Sequence, residues 1–336
     1  MGFLSEKPDI AFERPLFAGI LANTLLSTVP GISGAGPGPE KTLLTPVLDA
    51  ELITNGVITS QPSKPNTPTG CPTPATISRA MMLLAHLQPL FINAGLRHTP
   101  TIPCLDVYGE PGRDPRFEDA LPVAPHLFEQ GVRIGTLLSS VSDLLVLGEC
   151  VPGGTTTALC ILRALGYEAS VSSSFRHNPV SEKEEICRLA LDRVRTSGAT
   201  TPMDIVRCLG DPMMPVAAGI AESYSGHLIL AGGTQMLAVS AIIRARGKPL
   251  PAIVTTSYVR DDPSANVGVL AGQIGVKISY VDPGFGDLGH AGLARYCIGE
   301  VKEGMGAGGA MYLAALLGHS PETIRKAILT TVNAYS

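Results

Sequence analysis

Leu144-Leu145-Val146-Leu147-Gly148-Glu149-Cys150-Val151-Pro152-Gly153-Gly154-Thr155-Thr156-Thr157 joins an unbroken apolar run to a glycine turn, and a further apolar stretch leads on to Leu165 and Gly166. A strand buried on both faces reads as such a run. A glycine turn that opens a helix aims backbone N–H groups at whatever sits above it, which suits a phosphate. The spacing of Gly148 and Gly153 imitates a nucleoside-triphosphate loop, but Gly154 stands where that loop carries its lysine, so a monophosphate is the better match. Tight packing of strand on helix accounts for the same glycines, so the stretch speaks for the fold class before it speaks for a ligand.

The same texture recurs outward from this segment. Short apolar runs at 102–107, 227–231, 252–256 and 277–281 join 144–148 as candidate strands, and helical patterns separate them. Ser181-Glu182-Lys183-Glu184 reads as a capping box opening a helix to about 195, and Thr234 reads as the cap of a helix to about 246. Strands alternating with helices predict an α/β fold, a mostly parallel sheet with helices on both faces in the Rossmann-like manner. Ligands of such sheets bind beyond the carboxyl ends of the strands. The core is expected over 101–318. Residues 1–100, with the Pro/Gly-rich stretches 30–39 and 59–74, are expected to form a smaller subdomain with a C-terminal helix at 319–336. Thr67 to Pro74 could wall a ligand site, because long loops in compact domains are uncommon unless they bind or cover something.

Composition excludes several classes. The 336 residues are 45% hydrophobic and 16% charged, enough apolar material for a large core. A net charge of -4 without a basic cluster, together with the absence of Trp, argues against a nucleic-acid partner. No window is apolar for long enough to cross a bilayer, and the first residues do not read as a signal peptide, so a cytoplasmic protein without membrane contact is expected. The seven cysteines contain no C-x-x-C pair and are expected to be buried thiols rather than metal ligands. No cofactor is called for.

Two more segments carry chemistry. His227-Leu228-Ile229-Leu230-Ala231-Gly232-Gly233-Thr234-Gln235 repeats the order strand, glycine pair, helix, and Gly232 and Gly233 are candidates for a second wall of the same cleft. Close helix–sheet packing explains them equally well. In Glu303-Gly304-Met305-Gly306-Ala307-Gly308-Gly309 one carboxylate is followed by four glycines before an apolar helix that ends near Gly318. A carboxylate at a helix start also complements the helix dipole, yet the small neighbours leave room for a ligand to reach it.

Glu303-Gly304-Met305-Gly306-Ala307 resembles the Glu-Gly-Thr-Gly-Ala segment of the nicotinate-nucleotide:dimethylbenzimidazole phosphoribosyltransferases. Gly148-Glu149 through Thr155-Thr156 is similar to that family's Gly-Glu-x-x-x-x-Asn-Thr-Thr loop, with Gly154 in place of Asn and Met305 in place of Thr. The likeness covers roughly 102–318, and the first hundred residues look like the divergent archaeal and cyanobacterial-type branch. It implies transfer of the phosphoribosyl group of nicotinate mononucleotide to dimethylbenzimidazole or a related base, as in synthesis of the cobalamin lower ligand, by a homodimer. It also implies Glu303 as general base and Glu149 as a second carboxylate orienting the base or the ribose. Gly153, Gly154 and Thr155, with Gly304 and Gly306, then serve the phosphate, and Thr156 is carried over as a further substrate-binding residue. The pyridinium leaves as a neutral ring, so one carboxylate and a shaped cleft suffice.

Two rival classes remain at this stage. A nucleotide-sensing module could keep the phosphate site without turnover. An NAD-dependent oxidoreductase is disfavoured because no G-x-G-x-x-G stands at the first turn. Arg176 and His177 in a polar loop, Asp282 and Asp287 in a turn, and His290 are weaker candidates that solvation and turn chemistry explain as well.

Overall fold

A computed structural model describes residues 2–6, 10–36, 39–62 and 66–335. Pro37, Gly38 and residues 63–65 of the two Pro/Gly-rich stretches lie outside the described residues. In chain order the regular elements are β1 (Pro15–Ala22), α1 (Thr45–Asn55), α2 (Ala75–Ala85), β2 (Leu90–Gly95), β3 (Leu105–Asp106), α3 (Ala124–Val141), β4 (Leu144–Cys150), α4 (Gly154–Ala164), α5 (Val180–Thr196), α6 (Pro202–Leu209), α7 (Met213–Ser223), β5 (His227–Ala231), α8 (Thr234–Ala245), β6 (Ala252–Thr256), α9 (Ser257–Arg260), α10 (Val267–Ile274), β7 (Ile278–Val281), α11 (Ala291–Ala294), α12 (Ala307–Leu316) and α13 (Pro321–Tyr335).

The strands form one parallel seven-stranded sheet in the order β3-β2-β1-β4-β5-β6-β7. The α/β class with helices on both faces is as expected. Each face has its own apolar layer. Residues of α3, α4, α7 and α8 pack on one side with Ile20, Leu145 and Leu147. Residues of α1, α2, α12 and α13 pack on the other with Phe17, Leu144 and Val146. All seven residues of β4 are buried, which is why that segment reads as a continuous apolar run rather than an alternating one.

Several sequence expectations need correction. The strands β1 and β2 come from the first hundred residues, the part set aside as loops and a subdomain, and β1 is an interior strand paired with both β2 and β4. Only Leu105–Asp106 of the run at 102–107 pairs as a strand. The capping box at Ser181 does not form: α5 begins at Val180, and Glu184 instead pairs with Arg163 of α4. Thr234 is the first residue of α8, not its cap; Gly233 holds the cap position and supplies no side chain. No described helix is long and apolar enough to cross a membrane.

The strand order carries a functional consequence. The chain runs outward from β1 to β2 and β3, then returns to β4 on the opposite side of β1 and continues to β7. The connections after β1 and β4 therefore diverge, and a crevice opens between them at the strands' carboxyl ends. Glu149 pairs with Ile20 at this end of the sheet.

Candidate active site

The crevice is a cleft of about 960 Å³ including its open mouth. Its lining brings together Glu149, Gly153, Gly154, Thr155, Gly233, Glu303 and Gly304 from the residues singled out in the sequence. Three others lie outside it. Gly232 faces Met236 and Glu149 from behind, and Gly306 packs against Gly148 and Phe17. Thr156 is fully buried, and its hydroxyl has no partner among the described residues.

The segment carrying Glu303 is clamped from three directions. The Met305 amide donates to the Glu149 carbonyl at 3.0 Å. The Thr256 hydroxyl donates to the Lys302 carbonyl at 2.5 Å, and the Ser78 hydroxyl of α2 donates to the Met305 carbonyl at 2.9 Å. The turn into α12 takes Met305 and Gly306 through left-handed φ values of 49° and 65°. Gly306 is needed twice over there, because a Cβ would also stand 3.0 Å from the Gly148 Cα. The α12 N-terminus carries no side chain at its cap; the Glu303 carboxylate serves instead, accepting from the Gly308 amide at 3.2 and 3.3 Å. It also accepts from the Gly304 amide at 3.1 Å and from the Thr255 hydroxyl at 3.4 Å. Burial nonetheless outweighs these bonds and pushes the Glu303 carboxyl up to about 7.

Glu149, the penultimate residue of β4, is 5% exposed. One of its oxygens accepts from the Gln235 amide of α8 at 2.7 Å and from the Val151 N–H at 3.1 Å. Burial raises its carboxyl to about 8, and the neighbouring Asp211 and Glu303 add to the rise. Burial thus raises both carboxyls toward neutrality, and the Glu303 charge beside it raises Glu149 further. Two buried carboxyls, both raised toward neutral pH and lining one cleft, form an arrangement suited to acid–base chemistry.

Opposite them, α4 starts from Gly153 in a left-handed conformation and has no side-chain cap. Behind this turn lies Lys183 of α5, which the sequence analysis placed only in a capping motif. Its ammonium donates to the Thr155 hydroxyl at 3.0 Å and to the Ser172 carbonyl at 2.8 Å, and the side chain is 1% exposed. Burial, and then the nearby Lys302, lower its pKa to about 7, with Asp262 pulling the other way. Lys302 is itself buried, donating to the carbonyls of Ser173, Phe175 and Gly299 and standing 3.4 Å from Asp262. The two lysines share the single carboxylate of Asp262, which leaves at most one net positive charge behind the uncapped helix start.

The long N-terminal loops contribute Ile32 to Gly36 and Thr67, Thr73 and Pro74 to the lining. The weaker candidates sit elsewhere. Arg176 and His177 are exposed outside the cleft, Asp282 accepts from the Gly284 amide of its own turn, and His290 caps α11 through Nδ1. Asp49, Gln235, Lys183 and Lys302 were not singled out as site residues. Each is an ordinary polar residue in a helix or loop, and only its burial marks it.

Comparison with known proteins finds relatives that match the chain over nearly its whole length. A UPF0284 protein of Methanosarcina mazei is 41% identical over 335 residues, spanning 96% of this chain and 94% of that protein. The chain belongs to the UPF0284 family. UPF0284 proteins of Methanothermobacter thermautotrophicus and Thermococcus gammatolerans are 41% and 42% identical, over 93% of this chain and 91% and 96% of theirs. No family model matches the sequence. Among solved structures, this UPF0284 fold is similar to CobT from Thermus thermophilus, with a TM-score of 0.62 at 16% identity over 97% of this chain and 85% of that one. It is also similar to a structure of nicotinate-nucleotide-dimethylbenzimidazole phosphoribosyltransferase from the same organism, with a TM-score of 0.59 at 15% identity over 96% and 83%. These solved structures share the fold of the UPF0284 chain, in keeping with the resemblance drawn from its two glycine motifs.

Proposed function

We propose that the protein is a phosphoribosyltransferase that moves the phosphoribosyl group of nicotinate mononucleotide to dimethylbenzimidazole or a related base, releasing nicotinate and forming an α-ribazole phosphate. One observation supports this above the rest: the Glu303 carboxyl and the glycine turn at 153–155 line the same cleft. The likeness of the fold to the two Thermus thermophilus structures agrees with it.

In this reaction the phosphate sits over the start of α4, held by backbone N–H groups and the Thr155 hydroxyl, with Lys183 behind. The lone pair of a ring nitrogen of the base attacks the anomeric carbon. The bond from that carbon to the pyridinium breaks, and its electron pair returns to the ring, so nicotinate departs with a neutral nitrogen and needs no acid. The azole becomes cationic as its bond to carbon forms, and its N–H proton passes to Glu303. A carboxyl with a pKa near 7 both holds that proton and is ionised often enough to take it. Glu149, protonated under the same conditions, can donate a hydrogen bond to a ribose hydroxyl.

The reaction is assigned to the cytoplasm, which suits seven free cysteines, and to a homodimer, for which exposed Leu137 and Val141 on α3 offer an apolar strip. The test is to incubate the pure protein with nicotinate mononucleotide and a panel of bases and to identify products by mass spectrometry. A new α-riboside phosphate with stoichiometric nicotinate is expected. Binding of the nucleotide with no nicotinate released from any base would leave a nucleotide-binding module instead.

A further inference from the structure

The transfer chemistry leaves one buried carboxyl of the cleft unused. Asp49, in the second turn of α1, is 3% exposed and lines the cavity. Its Oδ1 accepts from the Thr73 hydroxyl at 2.7 Å. Its Oδ2 has, among the described residues, only the Cys150 thiol at 3.7 Å, a weak donor. Four residues earlier, and so on the same side of the helix, Thr45 also lines the cavity. Its hydroxyl is buried and has no partner among the described residues. Two adjacent residues of the cavity lining thus carry hydrogen-bonding capacity that the described residues do not use, an arrangement that a ligand group can satisfy.

Their position in the fold says which part of a ligand they meet. The helix α1 belongs to the layer on one face of the sheet, whereas α4 and α5, with the phosphate turn and Lys183, belong to the layer on the other. The end of β4, with Glu149 and Cys150, lies between. A nucleotide with its phosphate at the α4 start and its anomeric carbon near Glu303 leaves the α1 end for the ring of the incoming base.

We propose that Asp49 and Thr45 select an accepting base that carries a hydrogen-bond donor, an amino or hydroxyl group, on the ring edge remote from the reacting nitrogen, over one that carries only methyl groups there. The proposal rests on the transferase reading above. A ligand N–H or O–H at Oδ2 supplies the strong donor that the thiol does not, and Thr45 can accept from or donate to the same substituent. A methyl group in that place leaves the carboxyl without a full set of donors in a water-poor site.

The test measures kcat/KM for nicotinate release with 5-hydroxybenzimidazole, 5-aminobenzimidazole and 5,6-dimethylbenzimidazole, using the full chain and its Asp49→Leu, Asp49→Asn and Thr45→Val variants. The wild type is expected to favour the hydroxy or amino base by roughly 10- to 100-fold, the scale of a hydrogen bond to a charged group. Asp49→Leu should abolish or invert that ratio, and the isosteric Asp49→Asn and the Thr45→Val variants should narrow it by several-fold. Equal or reversed preference in the wild type, or an unchanged ratio in Asp49→Leu, overturns the proposal. If Asp49→Leu does not fold, an unchanged ratio in Asp49→Asn does the same. If no base releases nicotinate even with the wild type, the transferase reading fails by itself. The role of Asp49 is then decided by calorimetric affinities for the three bases in the presence of nicotinate mononucleotide, where the same order is expected and equal affinities refute it.

Discussion

The backbone amide of Met305 donates to the carbonyl of Glu149 at 3.0 Å, so two motifs more than 150 positions apart in the chain are tied directly to one another. This bond sets the segment bearing Glu303 against the end of β4. The two carboxyls differ in environment: Glu149 is held by a side-chain amide and raised to about 8, and Glu303 by helix N–H groups and raised to about 7.

Replacing Glu303 with Gln keeps the shape of the α12 start but removes the proton acceptor of the proposed transfer. Turnover should fall by roughly 10²- to 10⁴-fold, the usual scale for a lost general base, while the dissociation constant for nicotinate mononucleotide changes little. Steady-state nicotinate release and calorimetry measure the two quantities separately, and full activity in this variant would remove Glu303 from the chemistry.

The same carboxyls make stability depend on pH. Asp49, Glu149 and Glu303 have folded-state values of about 7, 8 and 7, all above their ordinary ones. A raised value means that the folded chain holds these protons more tightly than the unfolded one. The stabilisation is complete below about pH 4 and is lost as pH rises through 7 to 8. The ligand-free Tm should therefore drop between pH 5 and pH 7, and Glu149→Gln should flatten the drop. On the proposed mechanism kcat/KM should instead trace a bell, rising toward neutral pH as Glu303 ionises and falling above about pH 8 as Glu149 and the Lys183 ammonium lose their protons.

Lys183 predicts a proton uptake. Its ammonium is held down to about 7 in the ligand-free protein, and a bound phosphate dianion favours the charged form. Binding of nicotinate mononucleotide at pH 8 should take up a proton, read as a dependence of calorimetric enthalpy on buffer ionisation. In Lys183→Met the contribution of this residue to the uptake should vanish, and KM for the nucleotide should rise by roughly 3- to 10-fold, the scale of a lost hydrogen bond to the Thr155 hydroxyl that faces the cleft. An unchanged KM would show that Lys183 does not act on the phosphate.

Gly308 is a steric control on the position of the base. A Cβ there would stand 2.7 Å from the Glu303 Oε2 and 2.8 Å from the backbone carbon of Thr255, which cannot move aside as a side chain end would. Gly308→Ala should cost about 1–3 kcal/mol in stability, the scale of core overpacking, and should lower kcat at least tenfold. Denaturant melts and steady-state rates check both, and wild-type rates in a folded Gly308→Ala protein would mean that this carboxylate position does not matter.

Much of the fold was legible along the chain. The runs at 144–148, 227–231 and 252–256 are strands of the structure, because burial on both faces leaves no polar alternation to disguise them. The strand β1 was missed because Gly19 interrupts Pro15–Ala22 and the segment sits among loops rich in Pro and Gly. That glycine is used for packing: a Cβ would stand 3.1 Å from the Phe91 ring of the neighbouring strand. Helix caps were misplaced at Ser181 and Thr234, since a capping motif is only an option that tertiary partners such as Arg163 can override.

The sequence by itself determined the parallel α/β architecture and marked Glu149, the turn at 153–155 and Glu303 as unusual, because strand and helix periods, glycine turns and motif spacing are properties of neighbours in the chain. Only the tertiary structure decided that these three meet in one cleft, that Lys183 and Asp49 flank them, and that burial pushes the carboxyls up from their ordinary range. Those outcomes depend on β4 pairing with β1 and on how much water the two helical layers exclude, and desolvation is set by residues far away in sequence.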